Sequence, residues 1–403
     1  MFKKNIFFKG FYFKSKQFNI NLTKTKKNFL LLQSDLKNSQ IPLLKSFEKN
    51  FSLDYSSEIS SKFSKYKNLV IIGMGGSILG TQCIYSFLEK KIKKKLFFFN
   101  NLDSNLHLKF KKISDIKKSC FIVVSKSGNT LETITNLNIL HAKVKFKNNL
   151  IIITEIKDSS LMSIANKYGA EIVEHKDDIG GRYSVLTEVG MLPATLMRLN
   201  VEKFKNLENL IKNKNFTKTL IKNVASIYTL NKIGVKNSVI LNYNTKLNDL
   251  CFWYQQLVGE SLGKEGKGIT PIISQGPKDH HSLLQLYLDG PKDKFFTVLR
   301  SVEENDKYKV SKNIYLNDLK FLSGNSLGNI IAAQSSAVKN IFKKKNIPYR
   351  EILFKRKNEE SLGEIFTFFV LETILLARMM NINPFDQPAV EQVKVETKKI
   401  LSR

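Results

Sequence analysis

A short apolar strand that runs into a small-residue loop and then a helix restricts the fold of this chain more than any other feature. Lys67 to Ile72 (KNLVII) reads as a buried strand; a glycine turn follows, and then Ile78, Leu79, Ile84 and Phe87 recur at helical spacing. The order repeats at Cys120 to Val124, followed by SKSGNT and a helix from Leu131. It repeats again at Asn149 to Thr154, followed by Ser159 to Tyr168. Strands joined through helices return in the same direction, so this grammar demands a parallel sheet with helices packed on its faces.

These repeats predict an α/β layered domain over residues 46–200. Residues 201–232 read as lysine-rich amphipathic helix, carried by Leu207, Leu210, Ile211, Leu220, Ile221 and Val224. A strand at Lys236 to Leu241 (KNSVIL) then echoes KNLVII and opens a second α/β domain over 201–403. Further strands are expected at Phe296 to Leu299 and Ile352 to Phe354, and helices over 246–262, 325–345, 361–380 and 388–402. Residues 1–45 form a basic, aromatic segment with no predicted role.

The chain has 403 residues, too many for one ordinary core and enough for two. Cys83, Cys120 and Cys251 are odd in number and widely spaced, which offers neither a disulfide framework nor a zinc site and suits a reducing cytosol. The apolar run Ile365 to Met380 is interrupted by Glu372 and Arg378 and reads as a buried helix instead of a bilayer span. The N-terminus combines Lys4 and Lys9 with Phe7, Phe8 and Phe11. It lacks an uninterrupted apolar stretch and a small-residue cleavage site, so no export signal is expected, an organelle leader being the alternative.

A formal charge of +30 raises the question of nucleic acid. Only 7 of the 65 basic residues are arginine, however, so the bidentate fork that reads phosphates and base edges is scarce. The lysines run the length of the chain, which describes a solvated surface and no specific nucleic-acid site. A nonspecific polyanion binder is the competing class, and its affinity would collapse by about 0.15 M salt.

Six segments carry chemistry. In IIGMGGSILG (71–80), Gly73, Gly75 and Gly76 lie between strand and helix, where backbone N–H groups can approach an anion, and Ser77 offers a sugar or backbone contact. Ile78 stands where a dinucleotide fingerprint needs glycine, and Gly263-Lys264 is followed by Glu265, so neither nucleotide motif is complete. In SKSGNT, Ser125, Ser127 and Thr130 place three hydroxyls in one strand-to-helix loop with Lys126 among them, a phosphate cradle that needs no metal. Helix capping by Thr130 accounts for one hydroxyl only.

Gly180-Gly181-Arg182 sets a rare arginine after two glycines, with a surface ion pair as the plain alternative. On the helix 246–262, Gln256 and Glu260 stand four apart on one face, and an i,i+4 pair of Glu260 with Lys264 is the plain alternative. Two adjacent histidines, His280 and His281, precede an apolar helix. Finally, NPFDQPAVEQVK puts Lys394 seven residues after Gln387, two turns along a helix that Pro388 would open at its first position; Lys394 is otherwise one more solvent lysine.

In this order and spacing, the segments resemble the glucose-6-phosphate isomerase family over residues 60–400. The resemblance implies two sugar-isomerase (SIS) α/β/α domains with mainly parallel sheets and an active site between them. It implies reversible isomerisation of glucose 6-phosphate and fructose 6-phosphate through a cis-enediol, a step of glycolysis and gluconeogenesis, with no metal or other cofactor. Glu260 would be the base, Arg182 the group that holds enediolate charge, and His281 with Lys394 the ring-opening pair. Gly76, Ser77, Ser125, Lys126, Ser127, Thr130, Gln256 and Gln387 would contact substrate. The histidine reaches the site from the neighbouring subunit in such proteins, which implies a homodimer with shared sites. The residues before His281 depart from the family's usual loop, so His280 stays a candidate. Another SIS-type sugar-phosphate isomerase or sensor would share the phosphate loop but not Glu260, His281 and Lys394 together.

Overall fold

The computed structural model describes residues 2–11, 15–111, 113, 116–302, 306–313 and 317–402. Its strands are β1 (Ile6–Lys9), β2 (Asn68–Gly73), β3 (Lys95–Phe99), β4 (Ser119–Val124), β5 (Leu150–Thr154), β6 (Glu171–Glu174), β7 (Asn237–Asn242), β8 (Thr270–Gln275), β9 (Lys294–Ser301) and β10 (Tyr349–Phe354). They form two five-stranded sheets, ordered β3-β2-β4-β5-β6 and β1-β10-β9-β7-β8. Every pairing is parallel except β1 with β10. The expected fold class, two SIS-type layered domains with mainly parallel sheets, is therefore the one observed.

The central strands β2 and β4 are buried at every position, as parallel strands covered on both faces must be. Side chains alternate along them. Leu69 and Ile71 join the large core that the two sheets share, while Val70 and Ile72 join a smaller one under the outer helices. The helix Glu359–Met380 runs through the shared core, and its residues 361–377 are all buried. Glu372 within it is held by Arg350 at 2.5 Å, and both side chains are sealed from solvent. Among the described residues no helix is long and apolar enough to cross a membrane.

In both sheets the order reverses beside the first strand, between β2 and β4 and again between β7 and β9. Loops leaving the carboxyl ends of neighbouring strands diverge at such a switch point and open a crevice. The glycine turn after β2 and the SKSGNT loop after β4 both leave at the first of these.

Several elements differ from expectation. β1, β3, β6 and β8 had no prediction; β3 follows a run of lysines, and β6 (EIVE) is a half-buried edge without an apolar run. The described part of the N-terminal segment is built into the second half of the molecule: β1 edges the second sheet, and the helix Lys16–Lys37 lies along Lys214–Lys232, where Asn21 Nδ2 donates to Thr229 Oγ1 at 2.9 Å. The predicted helix 201–232 is broken at Asn213, whose side chain accepts from the N–H groups of Asn215 and Phe216 and so starts a new helix. The C-terminal helix begins at Val390, after Ala389, and Pro388 lies outside it.

Candidate active site

β2 ends in the glycine turn, and contacts across the crevice explain the glycines. Gly75 has φ +53°, and a Cβ there would lie 2.8 Å from Gln256 Nε2. A Cβ on Gly76 would lie 2.2 Å from the carbonyl carbon of Gly181. The glycine turn, the Gly180-Gly181 loop and the helix Asn248–Leu262 thus meet at a distance that only missing side chains allow. Ser77 follows at the start of the helix Gly76–Leu88 and is almost wholly buried.

At the next strand end, Ser125 Oγ lies 2.8 Å from Thr130 Oγ1. Thr130 precedes the helix Leu131–His141 yet makes no capping bond with its side chain, so capping does not explain its hydroxyl. Ser127 Oγ accepts from the Asn129 N–H at 3.3 Å, and Gly128 turns with φ +69° against Ser159. Two hydroxyls in contact, a third in the same loop and the N–H groups of a helix start are therefore gathered at this strand end. Lys126 turns elsewhere, donating to the Asp177 carbonyl at 2.6 Å.

Arg182 is 2 % exposed and is the hub of the site. Its Nε donates to Ser261 Oγ at 2.8 Å, and Nη1 donates to Gln387 Oε1 at 2.6 Å and to Glu260 Oε2 at 3.3 Å. Nη2 donates to the carbonyls of Pro384 and Asp386 at 2.5 and 3.1 Å. The other carboxylate oxygen of Glu260 accepts from Gln256 Nε2 at 2.9 Å, so the i,i+4 pair on this helix orients the acid. Lys264 does not pair with Glu260; it bonds Asp386 at 2.5 Å and the Asn383 carbonyl. Glu260, Gly263, Gln387, Pro388 and Val390 line a cleft of about 440 Å³, into which the carboxylate opens with its side chain 32 % exposed.

The structure thus brings Gly76, Arg182, Gln256, Glu260 and Gln387 together. It does not bring the remaining two catalytic candidates to them. His281 is exposed at the end of the turn Lys278–His280. Beside it His280 is held by the Tyr243 hydroxyl at 2.7 Å, and burial, with the neighbouring His281, lowers its pKa. Lys394 is exposed on the helix Val390–Leu401, which buries no residue, and pairs with Glu391 at 2.5 Å. Gln387 precedes that helix and turns to Arg182, so the two do not share a helical face as their spacing suggests.

Sequence reasoning missed Ser261, Tyr183 and Asp279. Tyr183 and Ser261 share a 2.8 Å hydrogen bond, and the Tyr183 hydroxyl also donates to the Pro384 carbonyl at 2.9 Å. Asp279 accepts from Ser274 Oγ, the Gln275 N–H and Ser282 Oγ and so shapes the histidine turn; these bonds and Lys278 outweigh desolvation and lower its pKa. Nothing local in the sequence marks them, because each acts on a partner from another segment or on a turn whose shape is tertiary.

A carboxylate fixed by a buried guanidinium and opening into a cleft, in a molecule whose first parallel sheet ends in a hydroxyl-rich loop, defines an α/β protein of the sugar-phosphate-handling class. Solved structures share the fold: a hypothetical protein from Thermus thermophilus superposes with a TM-score of 0.79 at 22% identity, over 95% of each chain. A glucose-6-phosphate isomerase from Chlamydia trachomatis superposes with a TM-score of 0.69 at 21% identity, over 86% of this chain and 72% of that one. The family model for phosphoglucose isomerase matches residues 43–403. The glucose-6-phosphate isomerase of Methanocaldococcus jannaschii is 34% identical over 341 residues, 82% of this chain and 83% of the relative. That of Mycoplasmopsis synoviae is 32% identical over 380 residues, 86% and 87%. The chain belongs to the phosphoglucose isomerase family.

Proposed function

We propose that this protein interconverts glucose 6-phosphate and fructose 6-phosphate. The observation that carries the reading is the Glu260 carboxylate, held by Gln256 and Arg182 at the mouth of the cleft. The sugar phosphate sits in the Ser125, Ser127 and Thr130 loop, with the Gly76 and Ser77 turn beside it, and this fixes the sugar before any chemistry begins. Glu260 removes the proton from C2 of the open-chain aldose and returns it to C1, while the proton on O2 passes to O1. The intermediate is a cis-enediol, and the negative charge of its enediolate form develops beside the buried guanidinium of Arg182, which is already oriented by five acceptors.

Ring opening is assigned to His281 and Lys394, protonating the ring oxygen. An exposed His281 suits delivery into the cleft of a second subunit, so the working unit is a homodimer with shared sites. For Lys394 the assignment requires the helix Val390–Leu401 to fold onto the cleft when substrate or the second subunit is present. The protein works in the cytoplasm under this reading, where its three buried free thiols stay reduced.

The test is a coupled assay with fructose 6-phosphate, EDTA present, and glucose 6-phosphate reported through its dehydrogenase. The wild type turns over, and Glu260→Gln is slower by about 10²–10⁴, the usual cost of a lost acid–base group. Full activity in Glu260→Gln would remove the mechanism; no activity in a folded wild-type dimer would remove the substrate.

A further inference from the structure

A second concave site lies at the opposite end of the first sheet. Asn68 and Lys95 begin β2 and β3, and a cavity of about 750 Å³ opens there, with Tyr66 and Met197 among its lining. β2 spans six residues, so about 20 Å of strand separates this cavity from the glycine turn at the other end. Its charge is one-sided: 7 of its 11 lining residues are Lys or Arg. Lys65, Lys67, Lys91, Lys93, Lys94, Lys95 and Arg198 all line it.

No carboxylate lines the cavity. Lys91 is engaged by Glu359 at 2.6 Å. Lys94 donates to the carbonyls of Ser64 and Tyr66 at 2.8 and 2.5 Å, so its charge is hydrogen-bonded but not neutralised. Lys65, Lys67, Lys93, Lys95 and Arg198 make no ion pair among the described residues. Arg198 adds a separate observation. It follows the helix Glu188–Leu196 and its cap Met197 in the left-handed region, φ +64°, where glycine is the favoured residue. A guanidinium thus lines the cavity from a backbone conformation that favours glycine.

We propose that this cavity is a binding site for a short chain of linked phosphates. A single phosphate would leave most of the cations uncompensated, whereas several linked phosphates match their number and fit a volume of about 750 Å³. The lining offers no exposed aromatic face for a base, since Tyr66 is 8 % exposed and its hydroxyl donates to the Asn148 carbonyl. The phosphate chain is therefore the recognised group, whether it comes free or as the tail of a nucleotide.

The experiment is calorimetric titration of the full chain with inorganic tripolyphosphate at about 0.15 M salt, where scattered surface lysines are screened. The wild type binds one tripolyphosphate per chain in this cavity, and ATP binds with equal affinity. Arg198→Gly with Lys93→Gln weakens binding by about tenfold or more for each cation lost. Its melting temperature does not fall, because glycine relieves the left-handed position. Lys343→Gln with Lys344→Gln removes the same charge from the exposed end of the helix Leu327–Lys344 and leaves binding unchanged. Equal loss in both double variants overturns the site in favour of general charge. Loss on Thr130→Ala, with none on Arg198→Gly and Lys93→Gln, overturns it by placing the anion in the loop after β4. Much tighter binding of ATP than of tripolyphosphate overturns recognition through the phosphates alone.

Discussion

Arg182 Nη1 bridges Glu260 Oε2 at 3.3 Å and Gln387 Oε1 at 2.6 Å, tying its own segment to two others, 78 and 205 residues away in sequence. The Arg182 side chain is 1 % exposed and the Glu260 side chain 32 %. The fixed cation lies under the cleft and the carboxylate opens into it. Arg182→Lys keeps the charge but loses the fork. It is expected to lower kcat by about 10²–10³, the scale of one lost preorganised donor, with a smaller change in KM. An equal rise in KM with kcat unchanged would show that Arg182 serves binding only.

Gly76→Ala tests the joint between the glycine turn and the Gly181 loop. The added methyl would stand 2.2 Å from a backbone carbon that no side-chain motion can clear. A loss of about 2 kcal/mol or more is expected, read as a lower denaturant midpoint with an unchanged slope. Gly169→Ala meets no atom within 4 Å and its cost is limited to the left-handed φ of 58°, about 1 kcal/mol.

His280 and His281 separate by environment. His280→Ala loses the Tyr243 hydrogen bond and is expected to lower stability by about 1 kcal/mol while retaining most turnover. His281→Ala is expected to lower turnover with the thermal midpoint unchanged. If sites are shared between subunits, mixing inactive His281→Ala and inactive Glu260→Gln chains yields hybrid dimers with one intact site of two, and about a quarter of wild-type activity returns. No recovery after subunit exchange would confine both groups to one chain.

Glu364 predicts a pH dependence of stability. It is buried in the helix Glu359–Met380, and desolvation pushes its pKa up to about 7, only partly countered by a 3.4 Å hydrogen bond from Asn5 Nδ2. The folded state therefore holds this proton at pH values where the unfolded chain, with an ordinary pKa near 4.5, has released it. Stability from this group is thus greatest below about pH 4.5 and is lost as pH rises to about 7. Glu364→Gln should remove that slope, raising the denaturation free energy at pH 8 by roughly 2–3 kcal/mol relative to wild type while leaving pH 4.5 little changed.

Much of the molecule is legible in one dimension. KNLVII, the apolar run of β4 and the echo at KNSVIL declare central parallel strands because burial on both faces removes polar residues from them. Edge strands escape the same reading. β6 carries glutamate at both ends and β1 lies in a segment with no helix-linked partner nearby, so neither shows the apolar continuity that marks a buried strand.

The site divides along the same line. Local sequence alone determined the residue types: hydroxyls beside Gly128, glycines at a strand end, and glutamine and glutamate four apart on a helix, since each signal lies within a few residues. Only tertiary structure decided which groups meet. It gave Arg182 rather than Lys264 to Glu260, sent Lys264 to Asp386, turned Gln387 inward, and left His281 and Lys394 on the surface. The physical reason is that backbone preference and periodicity act between near neighbours, whereas a buried ion pair is chosen by whatever the packed sheets bring within hydrogen-bonding distance.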